Sequence, residues 1–270
     1  MSTPRLDHVV APDGVRIAHW TSGHGRPLVM VHGSMADHTT LDRVRPLLEP
    51  HFTVHAVDRR GRGASGDGPS YTLDREIRDI TTVVDDLAER TRGPVWLYGH
   101  SFGATCALGA ARRTSNIGRL VLYEPAFRGI FDYPTGFISR LDTLIRDGRP
   151  DQAVQLVMRE RVGVTAAQLQ ALQTAPSWPA RVAAAPAIPR ELGIDATLDF
   201  DPTPYTTMTT PTVLLLGEHS PAGQRQIVTA IDAALPDSSI LTLPGQQHMA
   251  QMTAPQLIAN ALIRQLRVRE

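Results

Sequence analysis

The sequence predicts an α/β protein, and three observations carry that prediction. Short, continuously apolar runs alternate with amphipathic helical stretches. One run, at 95–98, passes through Gly99-His-Ser101-Phe-Gly103 straight into an Ala-rich helix. The alternation lapses once, over about 126–211, and then resumes.

Strand-like runs fall at 15–20, 28–31, 52–57, 95–98, 120–123, 213–216 and 240–243. Several do not alternate, as expected of parallel strands covered by helices on both faces. Helical stretches are expected at 41–48, 73–90, 102–113, 223–235 and 254–266. In the second of these, Ile77, Ile80, Val84 and Leu87 share one stripe. The 126–211 segment is Ala-, Gln- and Pro-rich, with helical patterns at 141–146 and 153–162 and four prolines in 175–189. Because a strand pattern returns after Pro211, the segment reads as a helical cap or lid inserted into a core made of 1–125 and 212–270.

The 270 residues carry 27 basic and 27 acidic side chains, all the former arginine, for a formal net charge of zero. That balance gives no electrostatic case for nucleic acid or an acidic membrane, and the expected partner is a small molecule. Without a secretory leader pattern or an apolar run long enough to span a bilayer, the expected location is cytoplasmic. The single cysteine, Cys106, sits in ATCALGAA and reads as a small buried hydrophobe. No metal-ligand cluster and no G-x-G-x-x-G at a first helix are found, so neither a metal nor another cofactor is expected.

The chemistry gathers in a few motifs. In G-x-S-x-G between strand and helix, a sharp turn presents Ser101, and the flanking glycines avoid a Cβ collision. The helix N-terminus beneath it favours developing negative charge. A serine nucleophile also needs two donors for the oxyanion. The amide of Phe102 is one, and the amide of Ser34, in Val31-His32-Gly33-Ser34-Met35, is the candidate for the other. His32 reads as an organiser of that loop. The base is expected late in the chain, at His248 in Pro244-Gly-Gln-Gln-His248, between the last strand and the last helix. His219 lacks that setting.

Together, HGS (32–34), DRRGRG (58–63), GHSFG (99–103), LVLYEP (120–125) and PGQQH (244–248) resemble the α/β-hydrolase superfamily over about 15–268, the lid excepted. The resemblance implies an α/β-hydrolase fold and a serine hydrolase, with Ser101 as nucleophile, His248 as base and an acyl-enzyme resolved by water. It makes 58–63 a structural loop. In much of the superfamily the triad acid stands three residues beyond the glycine that here is Gly217, where this chain has Ser220. Two carboxylates are candidates. Glu218 lies in the same turn, and Glu124 ends the earlier strand, where haloalkane dehalogenases and polyketide thioesterase domains resemble this arrangement. Glu124 is the assignment adopted.

Met35, Phe127, Phe131, Trp178 and Met249 are the expected substrate contacts, suiting an apolar acyl or alkyl group. The reading is a carboxylic ester hydrolase. Its alternatives are a thioesterase or acyl-transferring cyclase and a silent hydrolase fold used for binding. A serine at the elbow disfavours dehalogenase and epoxide hydrolase chemistry, which the resemblance associates with aspartate there.

Overall fold

The computed structural model describes residues 3–130, 133–174 and 178–266. One eight-stranded sheet runs in the order β1 (Arg5–Val10), β2 (Arg16–Gly23), β4 (Phe52–Val57), β3 (Arg26–Val31), β5 (Val95–His100), β6 (Ile117–Tyr123), β7 (Thr212–Gly217) and β8 (Ser238–Leu243). β1 and β2 pair antiparallel, as do β2 and β4, and every pair from β4 to β8 is parallel. The sequence pattern missed β1, because this mostly exposed edge strand has no apolar run to reveal it.

Eleven α-helices are described: α1 (Arg45–Leu48), α2 (Leu73–Thr91), α3 (Phe102–Ala111), α4 (Phe137–Arg146), α5 (Pro150–Val157), α6 (Ala166–Gln173), α7 (Trp178–Ala183), α8 (Ile188–Asp195), α9 (Ala222–Ala234), α10 (Ala250–Thr253) and α11 (Pro255–Leu266). One expected helix is broken, while the one expected at 254–266 is found as α11, with the short α10 before it. The 41–48 stretch divides into a 3-10 turn, His38–Leu41, and the four residues of α1, with Pro46 near the start of the latter. Ala254 (φ −142°, ψ 57°) separates α10 from α11, since the residue before a proline is pushed out of the helical region.

The continuously apolar strands have a direct explanation. Val29 and Val31 of β3 pack with α2, α3 and α9, while Leu28 and Met30 pack on the other face with α1 and α11. Both faces are buried, so neither parity can be polar. Between β6 and β7, helices α4, α5, α6 and α8 build a third apolar cluster that includes Phe137, Leu141, Val154, Ile188 and Leu192. Met35, from the loop after β3, belongs to that cluster as well.

Since β3, β5, β6, β7 and β8 are parallel, their C-terminal ends open at one edge of the sheet. The motifs at 32–35, 101, 124, 217–220 and 244–249 all leave the sheet there.

Candidate active site

Ser101 joins β5 to α3 with φ 55° and ψ −126°, a conformation costly for any residue with a Cβ. Its neighbours show why they are glycines. A Cβ on Gly99 would lie 2.6 Å from both Ala104 Cα and Gly103 O, and one on Gly103 would lie 2.3 Å from the His32 carbonyl oxygen. The turn is held by the Ser101 N–H donating to Tyr123 C=O at 2.9 Å and by the Ala104 N–H donating to Ser101 C=O at 2.8 Å.

Glu124 leaves β6 with a positive φ as well, 48°, and its side chain is fully buried. Carboxylate oxygen Oε2 accepts from His248 Nδ1 at 2.7 Å, while Oε1 accepts from the Gly217 N–H at 2.8 Å and the Ser220 hydroxyl at 2.5 Å. Ser220, at the usual position of the acid, thus donates to the carboxylate that arrives from β6. The turn around it is tight: a Cβ on Gly217 would meet Ser220 Oγ at 2.6 Å. Glu218, the other candidate, is exposed and accepts from the Gly245 N–H at 2.7 Å. His219 is exposed too.

With Glu124 on Nδ1, the neutral His248 ring carries its proton there and its lone pair on Nε2. The loop bearing His248 is clamped on both sides. Tyr123 donates its hydroxyl to Gln247 C=O and accepts from the Ala250 N–H at 3.2 Å. His100 Nε2 donates to the His248 carbonyl at 2.8 Å, and its Nδ1 accepts from Gln251 Nε2 at 3.3 Å. Burial drives the His100 pKa well below the usual histidine value, and nearby His248 pushes the same way, so this ring stays neutral.

The loop after β3 lies against the elbow, because a Cβ on Gly33 would come within 2.9 Å of Ser101 Cβ. The Gly33 carbonyl accepts from His32 Nδ1 at 2.8 Å and Arg59 Nη1 at 3.2 Å, while His32 Nε2 accepts from the Arg59 N–H at 3.2 Å. In a trans peptide the N–H points opposite the carbonyl, so these bonds orient the Ser34 amide. Burial, and then the Arg59 charge, lower the His32 pKa to about 4 and keep it neutral. Arg59 also stacks over the Phe102 ring, 4.8 Å from its centroid.

The structure separates the expected substrate contacts. Met35 (φ 53°) and Trp178 pack together with the α4–α8 cluster, and Met249 is half-buried one residue beyond His248. Phe127 lies apart from them, in the core beside α3, with its ring 5.2 Å from Phe200. The bond from Thr105 Oγ1 to Ala126 C=O, 2.7 Å, holds that stretch against α3. Phe131 falls outside the described residues.

Sequence reasoning missed the supports: Ser220, Tyr123, His100, Gln251 and a buried charge cluster. In that cluster Arg59 and Arg62 share the carboxylates of Glu76 from α2 and Glu191 from α8, with Arg59 to Glu191 at 2.5 Å. A signal was available only for Ser220, since a turn that has lost its own acid must offer a donor to another. Burial raises the Glu191 pKa, but the two guanidiniums outweigh it and lower the value from 4.5 to about 2. A depressed carboxylate stabilises the folded state above its unfolded pKa, so this contribution is full above pH 4.5 and declines as pH falls toward 2. Glu191→Gln should cost about 3 kcal/mol at neutral pH, by leaving two buried cations to one carboxylate, and should flatten the acid limb. Denaturant midpoints measured across pH 2–7 check both effects.

Three positions with positive φ outside glycine, Met35, Ser101 and Glu124, border this one crevice. The arrangement offers a strained hydroxyl, an imidazole oriented by a buried carboxylate and amides at a helix N-terminus. No helix among the described residues is long and apolar enough to cross a membrane. The profile of the family described as "Alpha/beta hydrolase family" matches residues 28–261. An α/β hydrolase structure from Sphaerobacter thermophilus is 33% identical, with a TM-score of 0.82 over 96% of this chain and 99% of that one. A 2-hydroxy-6-oxo-6-(2'-aminophenyl)hexa-2,4-dienoic acid hydrolase of Metapseudomonas resinovorans is 24% identical over 96% of this chain and 90% of its own length. A pimeloyl-[acyl-carrier protein] methyl ester esterase of Nitrosomonas europaea is 30% identical over 52% of this chain. The chain spans little more than half the length of several curated relatives, 54% of that esterase and 57% of another.

Proposed function

Because this chain belongs to the alpha/beta hydrolase family, we propose that it is a serine hydrolase cleaving a carboxylic ester through an acyl-enzyme intermediate. The observation that carries the proposal is the 2.7 Å bond between Glu124 and His248 Nδ1, behind a serine held on a strained elbow. In this reading Glu124 serves as the acid in place of a carboxylate at residue 220, which favours a working site over a silent fold.

In this reading His248 Nε2 takes the Ser101 hydroxyl proton as Oγ attacks the ester carbonyl. The amides of Ser34 and Phe102 receive the negative charge that develops on the carbonyl oxygen. His248 then protonates the departing alkoxide, leaving an ester of Ser101. Water attacks that ester, gives its proton to His248, and Ser101 recovers its proton as the carboxylic acid leaves. Glu124 stays ionised and stabilises the imidazolium. Residues 126–211 act as the cap, and Met35, Trp178 and Met249 present apolar surface to the acyl or alkyl group. The esterase among the relatives supports an ester as the bond cleaved. Thioester hydrolysis would use the same residues.

An alkyl fluorophosphonate tests this without knowledge of the natural substrate. Incubation should modify Ser101, identified by peptide mass, and abolish hydrolysis of p-nitrophenyl esters in proportion to labelling. Unmodified Ser101 after prolonged exposure of folded protein would rule the reading out.

A further inference from the structure

Arg181, on α7, is only 8% exposed, and its guanidinium faces no carboxylate within ion-pair distance among the described residues. Nη1 donates to Met35 C=O at 3.3 Å, Nη2 approaches Met252 Sδ at 3.8 Å, and Nε is buried with no acceptor. The other buried arginines are different: Arg59, Arg60 and Arg62 each meet a carboxylate at 2.6 Å or closer. A buried cation without a counter-charge is costly. Burial accordingly lowers the Arg181 pKa, opposed only by the charge of Asp37, which makes no ion pair with it.

The position of this charge matters. Met35 follows Ser34, and Met252 stands four residues after His248, so Arg181 spans from the helical segment to the loop after β3 and to α10, which follows the His248 loop. Gly33 abuts Ser101, and Met35 is two peptide units further, at most about 7.6 Å from Cα to Cα. We propose that Arg181 is a specificity residue that binds a carboxylate on the substrate, a few carbons from the scissile carbonyl. The planar fork matches a carboxylate's two oxygens, and the bound anion supplies a counter-charge at contact distance. The substrate class is thus an ester of a dicarboxylic acid, or an ester whose alcohol carries a carboxylate, with an apolar segment between. This rests on the serine hydrolase reading and deepens it.

Two matched substrate pairs test the proposal: p-nitrophenyl hemiglutarate against p-nitrophenyl valerate, and 3-carboxyphenyl butyrate against phenyl butyrate. The first puts the acid on the acyl side and the second on the leaving group. Wild type should favour the charged member of one pair by about 10-fold or more in kcat/KM. In Arg181→Met that charged-to-neutral ratio should fall about 10²-fold, as when one partner of a desolvated charge pair is truncated. Arg181→Lys, which keeps the charge without the fork, should keep part of the preference. Glutarate should slow fluorophosphonate labelling of wild type more than valeramide does, and this difference should vanish in Arg181→Met. No charge preference in wild type for either pair, or an unchanged ratio in a folded Arg181→Met, overturns the proposal. Labelling of Ser101 in the same samples keeps that failure separate from failure of the hydrolase reading.

Discussion

Glu124→Gln is expected to lower both kcat on p-nitrophenyl esters and the rate of fluorophosphonate labelling at Ser101, by about 10²- to 10⁴-fold. The substitution keeps the shape but removes the charge that stabilises the imidazolium. It also introduces an amide that can donate to His248 Nδ1, favouring the tautomer that has no lone pair on Nε2. Binding should change less than turnover, because Glu124 is buried behind His248 and the crevice lies beyond it. Ser220 offers an internal check. Its hydroxyl is 2.5 Å from Glu124 Oε1, so a carboxylate at 220 starts close to the position the acid occupies. Glu124→Gln combined with Ser220→Asp should recover part of the lost rate, whereas Ser220→Asp alone should be slower than wild type, because two carboxylates would then crowd one histidine. Stopped-flow labelling of the four proteins measures this, and unchanged labelling in Glu124→Gln would remove Glu124 from the mechanism.

The second large effect is on folding. Gly103→Ala should cost about 3 kcal/mol or more, which for a protein of this size is a drop in Tm on the order of 10 °C. The added Cβ would lie 2.3 Å from the His32 carbonyl oxygen and 2.7 Å from that of Val31, and both atoms are backbone at the end of a central strand. Neither can move without shifting the loop that carries Gly33 and Ser34. The control is Gly193→Ala in α8, where a Cβ meets nothing within 4 Å. There the substitution should be neutral or stabilising, by up to about 1 kcal/mol, because alanine restricts the unfolded chain and favours the helix. Thermal unfolding of both variants decides it, and equal effects would show that the contacts at Gly103 do not control stability.

Much of the fold was legible because short-range rules encode it. Strands buried on both faces must be apolar at every position, and each of the seven runs read from the sequence is a strand. The elbow was legible for a similar reason, since Gly99 and Gly103 stand where a Cβ would strike backbone only a few residues away or on the adjoining strand. The edge strand β1 and the break at 42–44 were not, because an exposed strand carries little pattern and a helical stripe does not register a local kink.

The sequence by itself determined the α/β alternation, the glycine-flanked serine, the order of the motifs and a histidine in the last loop. Only the tertiary structure decided which carboxylate meets that histidine. Glu124 and Glu218 both follow strands that end at the same edge, and no periodicity ranks them. The choice follows from β6 lying beside β7, which sends the Glu124 side chain under the Gly217–Ser220 turn, while Glu218 turns outward to the Gly245 amide. The same holds for the Arg59–Glu191 pair, 132 residues apart, and for Arg181, whose lack of an ion-pair partner among the described residues can be seen only once it is buried. Local sterics and hydrophobic periodicity are written along the chain; which distant charges meet is set by strand order and by how the helical segment seats on the sheet.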